Sequence, residues 1–148
     1  MEDISLHILD IVENAIRANA KTVKIEISEN KNIGCLIISI MDDGKGMDEE
    51  TARKALDPFF TTKSGKKVGL GLALLFQAAR ETGGNLKIES TPDKGTTVTA
   101  SFSLSHPDMK PLGDIYETLA TLITGRPSVH FIYDYKTEDN HFHFDSKN

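Results

Sequence analysis

The sequence has little of what marks secreted, membrane-spanning or nucleic-acid-binding proteins. Its 148 residues include one cysteine, Cys35, so no disulfide can form within the chain. The net charge of −5 argues against non-specific binding to nucleic acid, which uses Lys and Arg to neutralise phosphates. No apolar run approaches the roughly 18 residues that a membrane-spanning helix needs, and the start Met-Glu-Asp lacks the basic charge of a signal peptide. We therefore expect a cytoplasmic protein that binds neither nucleic acid nor membranes.

The composition indicates one ordinary globular domain. Apolar residues make up 39% and charged residues 26% of the chain, which is a typical balance for a soluble protein. This length can bury one proper core but hardly two. Cys35 begins the apolar run that ends at Met41, and a thiol in a buried strand is more often inert packing than a nucleophile.

Apolar periodicity predicts an order of helices and strands. Apolar residues at three- and four-residue steps indicate helices, and alternating or continuous short apolar runs indicate strands. The predicted elements are a helix over 4–20, strands over 22–28 and 35–41, a short helix over 48–56 that begins at an Asp cap, a helix over 70–81, and strands over 85–90 and 96–104. This order predicts an α/β (α+β) two-layer sandwich, in which a mixed, mostly antiparallel sheet carries helices on one face.

The chain after residue 104 is predicted to be an extension of this domain. Its elements are a proline-containing linker, a helix, a strand and a short last strand, over residues 105–111, 112–124, 128–135 and 141–144. The helix has too much apolar surface for a free linker. We therefore divide the chain into a domain over 1–104 and an extension over 105–148. The extension is expected to pack on its own domain, with a second copy or a partner as the alternative.

Four short motifs that contain residue types used in ligand binding and catalysis follow one another within about a hundred residues. They are Asp10-Ile-Val-Glu-Asn14, Asp42-Asp-Gly44-Lys-Gly46-Met47, Asp57-Pro-Phe-Phe-Thr-Thr-Lys63 with Val68-Gly69-Leu70-Gly71-Leu72, and Lys94-Gly95-Thr96-Thr97. Asn14 lies in mid-helix, where Asn costs helix propensity, and its carboxamide oxygen suits hard Mg²⁺. The paired glycines allow a ligand to approach the backbone closely. The start of the helix after Gly69 offers N–H groups to an anion.

Each motif taken alone also has an ordinary structural explanation. Asn14 is then a surface residue, Asp42-x-Gly44-x-Gly46 a plain turn, and Gly69-Leu-Gly71 a tight turn before a helix. The succession of all four on suitable elements is what favours a function. The ending Lys-Ser/Thr of a P-loop is missing, which excludes that phosphate site.

As a series, the motifs resemble the GHKL nucleotide-binding fold of gyrase, the ninety-kilodalton heat-shock chaperone, sensor histidine kinases and MutL, over residues 4–104. The resemblance implies binding of ATP with Mg²⁺, with Asn14 as the metal ligand and Asp42 accepting a hydrogen bond from the adenine amino group. The residues implied in ATP binding are Asn14, Asp42, Gly44, Gly46, Met47, Phe59, Thr62, Lys63, Gly69, Leu70, Gly71, Leu72 and Thr97.

The resemblance also implies a lid over the nucleotide. The motif from Asp57 to Lys63 matches the one that begins the ATP lid in histidine kinases. We expect Phe59 and Phe60 to anchor this lid by packing and Lys63 to reach a phosphate. We expect residues 61–68 to be the least protected internal segment without nucleotide. Thr97 is expected near the base, through a water molecule.

One position departs from the ATPases of this superfamily. They carry a Glu four positions before the Asn, where it activates water, and this chain has the shorter Asp10. Asp10 is therefore a weak catalytic candidate, either as a base or near Mg²⁺. Glu13 projects about 100° around the helix from Asn14. This departure favours phosphoryl transfer or nucleotide-gated binding over a dedicated ATPase.

None of the five histidines lies in a helix like the one that houses a histidine kinase's phosphoacceptor. His141 and His143 would share one side of a strand and form a conceivable metal pair, but two ligands without a third favour a solvated terminal strand instead.

The resemblance thus implies a stand-alone kinase that acts in trans on a partner protein with a His or Ser/Thr acceptor. The alternatives are a non-catalytic ATP- or ADP-gated protein-binding regulator and a slow ATPase. A homodimer is compatible with each.

Overall fold

The computed structural model describes residues 4–57, 70–109 and 111–147, with the side chain of Leu70 left out. Most of the predicted lid, including Phe59, Thr62, Lys63 and Gly69, lies outside these residues. The helices within them are α1 (Ile4–Arg17), α2 (Glu49–Lys54), α3 (Leu70–Glu81) and α4 (Ile115–Gly125). The strands are β1 (Thr22–Asn30), β2 (Cys35–Asp42), β3 (Asn85–Thr91), β4 (Gly95–Ser103), β5 (His130–Lys136) and β6 (His141–Asp145).

The strands form one six-stranded sheet in the order β3-β4-β2-β1-β5-β6. Every neighbouring pair is antiparallel except β1 and β5, which are parallel. Helices and inner-face strand residues share one hydrophobic core. The predicted α/β fold class, with a mixed and mostly antiparallel sheet, is confirmed.

The two-residue period of the strands puts the core on one face of the sheet. Val23, Ile25 and Ile27 of β1 are all buried, as the alternation in the sequence predicts. Strand β2 lies in the middle of the sheet, and its apolar run is buried on one face only. Ile37 points to the other face and is 41% exposed, and Cys35 is only half-buried. The apolar run of β2 is covered on one face because the helices all pack on that side.

The helices hold their places through caps and apolar stripes. The side chain of Asp48 accepts a hydrogen bond from the Thr51 N–H at 2.7 Å, which confirms the predicted N-cap of the short helix. In α1 the buried stripe runs through Ile4, Ile8, Ile11, Val12 and Ala15. Among the described residues, no helix has both the length and the apolar character to cross a membrane.

The residues after 104 belong to the same sheet and core. Strand β5 pairs with β1 over seven residues, and Leu119 and Leu122 of α4 are buried in the common core. The backbone N–H groups of Ile4 and Ser5, at the start of α1, donate to the carbonyl oxygens of residues 111 and 112 at 3.0 and 2.8 Å. The C-terminal segment is thus tied to both layers of the domain.

Candidate functional site

A cavity of about 220 Å³ lies between α1 and the inner face of the sheet. Its walls are mostly apolar, with Asn14, Asp42 and Thr96 as the polar side chains. The described residues that line it are Ile11, Asn14, Ala15, Ala18, Ile40, Asp42, Gly46, Met47, Ala55, Leu72, Thr96 and Val98. A mostly apolar cavity with few fixed polar groups is the usual form of a small-molecule site.

The strand register places Asp42 inside this cavity. Asp42 is the last residue of β2 and has the same parity as Ile38 and Ile40, so its side chain faces the helix layer. Its partner across the sheet is Thr96 of β4. The two side chains therefore stand together where β2 and β4 meet the glycine-containing loop.

Burial is the largest influence on the Asp42 carboxyl. Burial raises the pKa of Asp42, because removal from water penalises the charged form. The hydrogen bond from the Gly44 N–H lowers the pKa, and the negative charge of Asp43 raises it further. The Gly44 N–H donates to Oδ1 at 2.8 Å. Since an ionised carboxylate has about four acceptor positions, this bond leaves capacity for a donor from a ligand.

Asp43, the neighbouring carboxylate, faces away from the cavity and serves β1. Its Oδ1 accepts from the Lys21 and Thr22 N–H groups at 2.7 and 2.9 Å. The Thr22 bond is the main reason that the pKa of Asp43 is lowered. The structure thus separates the two acidic residues into one that faces the cavity and one that fixes the start of a strand.

Glycines allow the loop after β2 to lie close against the hairpin of β3 and β4. Gly46 has φ +69°, and a Cβ there would collide with the Thr91 carbonyl oxygen. Gly95 has φ +122°, and its Cβ would collide with the carbonyl oxygen of Asp42. Positive φ values and close backbone approach both favour glycine. Gly46 therefore forms part of the cavity wall, and the close approach of the two backbones explains both glycines.

A hydroxyl network that the sequence did not reveal fixes the same loop. The Met47 N–H donates to Ser90 Oγ at 2.7 Å. Ser90 Oγ also lies 2.7 Å from Thr96 Oγ1 and donates to the Gly95 carbonyl at 3.1 Å. Ser90 therefore positions both Met47 and Thr96 on the cavity wall. Only the strand pairing brings these residues together.

The two threonines of the Gly95-Thr96-Thr97 motif point to opposite faces of the sheet. Thr96 lines the cavity, whereas Thr97, its neighbour in β4, points to the other face because side chains alternate along a strand. Thr96 is therefore the threonine that a ligand in the cavity would meet.

On α1, the two motif residues have different surroundings. Asn14 lines the cavity, and its Oδ1 accepts a long hydrogen bond of 3.3 Å from Arg17 Nη1. Asp10 is exposed and lies beside Gly71, where an added Cβ would collide with the Asp10 side chain. Glu13 is directed elsewhere and pairs with Arg126 at 3.4 Å. Gly71 thus lets the first turn of α3 approach α1 closely.

Apart from Thr97, the predicted site residues fall into three groups. The cavity brings together Asn14, Asp42, Gly46, Met47 and Leu72, with Gly44 bonded to Asp42. Gly71 and Asp10 lie together at the junction of α1 and α3. Phe59, Thr62, Lys63, Gly69 and the side chain of Leu70 lie outside the described residues.

A match to a known protein family over most of the chain identifies its class. Residues 2–106 match the family described as histidine kinase-, DNA gyrase B-, and HSP90-like ATPase. The match covers most of the chain, and the chain belongs to this family. Its membership implies that the nucleotide it binds is ATP, and the predicted resemblance is confirmed.

Curated relatives include several kinases. The chain is 38% identical over 88 residues to sporulation kinase C of Bacillus subtilis (strain 168). The matched residues make up 60% of this chain and 20% of the kinase. It is 38% identical over 93 residues to the signal transduction histidine-protein kinase AtoS of Escherichia coli (strain K12), and the match covers 62% of this chain and 15% of AtoS. It is 32% identical over 92 residues to the sensor histidine kinase ZraS of the same strain, and the match covers 62% of this chain and 20% of ZraS. This chain thus spans a fifth or less of these relatives, and it is a histidine-kinase-like ATPase domain.

Proposed function

We propose that this chain binds Mg-ATP in the cavity at Asp42 and transfers the γ-phosphoryl group to a separate protein. The observation that carries the proposal is a half-buried carboxylate at the floor of an apolar cavity with an amide oxygen on its wall. The kinase names of the relatives support the transfer of a phosphoryl group.

The residues of the cavity fit an adenine ring. The walls from Ile40, Val98 and Leu72 offer apolar surface to its faces. The carboxylate of Asp42 accepts from the exocyclic amino group of adenine. Guanine would present a carbonyl oxygen to the same carboxylate, which leaves both acceptors unpaired and disfavours binding.

The residues on α1 fit a magnesium ion beside the phosphates. The carboxamide oxygen of Asn14 is the kind of hard donor that Mg²⁺ prefers, since it keeps phosphate oxygens and waters as its other ligands. When bound, the ion supplies positive charge to the phosphoryl group in transfer. Asn14 holds and orients that charge.

The acidic residues near the site favour transfer over hydrolysis. Among the described residues that line the cavity, Asp42 is the only acidic one, and it lies at the end of β2. Asp10 is one methylene shorter than Glu and lies beside Gly71. Since positioning dominates phosphoryl transfer, a partner that brings its own acceptor needs little base chemistry from this chain.

The direct test is to incubate the chain with γ-labelled ATP and Mg²⁺ together with proteins that co-purify with it. We expect the label on a partner protein. Label released only as inorganic phosphate would contradict transfer and support a slow ATPase. Nucleotide binding without transfer or hydrolysis would contradict it in favour of a nucleotide-gated regulator.

An Asn14→Ala variant tests the magnesium role in the same assay. It should reduce label transfer, and it should weaken Mg-ATP binding more than metal-free ATP binding, because it removes an oxygen ligand of the metal. Gln77→Ala is the matched control, since it removes an exposed amide from α3, away from the cavity. Equal weakening of both nucleotide forms in Asn14→Ala would exclude direct metal ligation.

A further inference from the structure

Three potential metal ligands share one face of the sheet at its β5–β6 edge. His141 and His143 alternate with Phe142 and Phe144 along β6, so both imidazoles are on one side. In the register of the two strands, Asp134 of β5 lies directly opposite His143. The sequence suggests only the histidine pair, because the third group comes from another strand.

The three side chains converge on a single carboxylate oxygen. His141 Nε2 lies 2.7 Å and His143 Nδ1 lies 2.8 Å from Asp134 Oδ1. One ligand atom from each residue lies within 4.8 Å of the others. The Asp134 side chain is only 10% exposed, whereas the imidazoles are 50% and 52% exposed. The buried Asp134 carboxylate therefore fixes the point where the three side chains meet, and the exposed imidazoles leave that point open to water.

The two imidazoles also act on the Asp134 carboxyl. Burial alone would raise the pKa of Asp134, but hydrogen bonds and charge interactions with His143 and His141 outweigh it, and the pKa is lowered. A cation would replace these hydrogen bonds, because an imidazole nitrogen that ligates a metal carries no proton.

We propose that Asp134, His141 and His143 bind a divalent transition-metal cation, separately from the nucleotide cavity. Two imidazole nitrogens and a carboxylate oxygen suit Zn²⁺, Co²⁺, Ni²⁺ or Cu²⁺, with the remaining positions taken by water. In a tetrahedral Zn²⁺ site with metal–ligand bonds of about 2.1 Å, the ligand atoms lie about 3.4 Å apart. The separations of 2.7 and 2.8 Å between Asp134 Oδ1 and the two imidazole nitrogens would therefore widen by roughly 0.6–0.7 Å when a cation replaces the hydrogen bonds.

The site differs in chemistry from the one at Asn14. Mg²⁺ and Ca²⁺ prefer oxygen donors and gain little from imidazole. A cation at Asp134 would join β6, the edge strand, to β5, so binding should stabilise the end of the sheet that lies away from β3.

The test uses the full chain stripped of metal with a chelator and dialysed, then titrated with Zn²⁺ in a calorimeter. We expect one saturable site per chain, a higher Tm with Zn²⁺, and no competition from excess Mg²⁺. Asp134→Asn, His141→Ala and His143→Ala should each weaken Zn²⁺ binding by more than about tenfold, the least that loss of even an outer-shell partner costs.

The matched control is His130→Ala, which removes a histidine on the same sheet face that pairs with Asp145 at 2.6 Å. It should leave Zn²⁺ affinity unchanged. Absence of saturable binding, or equal losses in His130→Ala and His143→Ala, would overturn the proposal. His143→Gln keeps a polar side chain should the alanine variant fail to fold. Undiminished Zn²⁺ binding in this variant would also overturn the proposal.

Discussion

Replacing Asp42 by Asn is expected to weaken ADP binding by roughly 1.5–3 kcal/mol, which is about ten- to a hundredfold. The substitution keeps the volume of the side chain but removes the charged acceptor that faces the cavity. The Gly44 N–H, which now donates to Asp42 Oδ1 at 2.8 Å, keeps an acceptor in the variant, so the loop should retain its conformation. Isothermal calorimetry on both proteins measures the difference.

Asp43→Ala is the matched control, since it changes the adjacent carboxylate that faces β1. It removes two backbone hydrogen bonds and should lower the free energy of unfolding by about 1 kcal/mol, a low value because the carboxylate is exposed. ADP affinity should stay unchanged. A loss of ADP affinity in Asp43→Ala equal to that in Asp42→Asn would contradict the division of roles.

Acid should remove the stability difference between wild type and Asp43→Ala. The folded-state pKa of Asp43 is lowered. The Asp43 carboxylate therefore adds to the free energy of unfolding at pH values above the ordinary carboxyl pKa, and this contribution is lost as the pH falls through the folded-state pKa. Urea unfolding of both proteins at neutral and acidic pH measures this convergence.

Truncation after Leu104 is expected to unfold or aggregate the protein. It removes the buried residues Ile115, Leu119, Leu122, Phe131 and Tyr133. Burial of each is worth about 1.5–3 kcal/mol, and the sum approaches the roughly 5–15 kcal/mol that stabilises a whole domain. The cut also exposes the edge of β1, now paired with β5, to other chains. Size-exclusion chromatography and circular dichroism would show the loss of the folded monomer.

A shorter truncation after Asn140 is the control, because it removes β6, whose side chains are mostly exposed. This variant should stay folded and bind ADP. If residues 1–104 alone give a soluble, cooperatively unfolding domain that binds ADP, then the extension has no structural role. If such a core folds but no longer binds a protein partner, the extension has an interaction role instead.

Local sequence patterns predicted the elements well because each pattern reports on its own segment. The bounds of α3 agree residue for residue with the prediction, and the alternation in β1 identified its buried face. The Asp48 cap was readable because a capping side chain bonds to an N–H three residues away. These features depend on short-range geometry alone.

The contacts between distant segments were beyond such patterns. Thr96, and not Thr97, faces the cavity because a one-residue change of parity moves a side chain to the other face. The parallel pairing of β1 with β5 joins residues more than a hundred positions apart. Ser90 and Asp134 likewise gain Thr96 and His143 as partners from other strands. No periodicity within a segment encodes these partners.

In the proposed function, the half-buried carboxylate at Asp42 sets the nucleotide choice of the wild-type chain. Titration of the full chain with Mg-ATP and, separately, with Mg-GTP measures this choice directly. We expect ATP to bind and GTP to bind at least about tenfold more weakly, because guanine places a carbonyl oxygen against the carboxylate. Equal affinity for ATP and GTP would contradict the assignment of Asp42 to adenine.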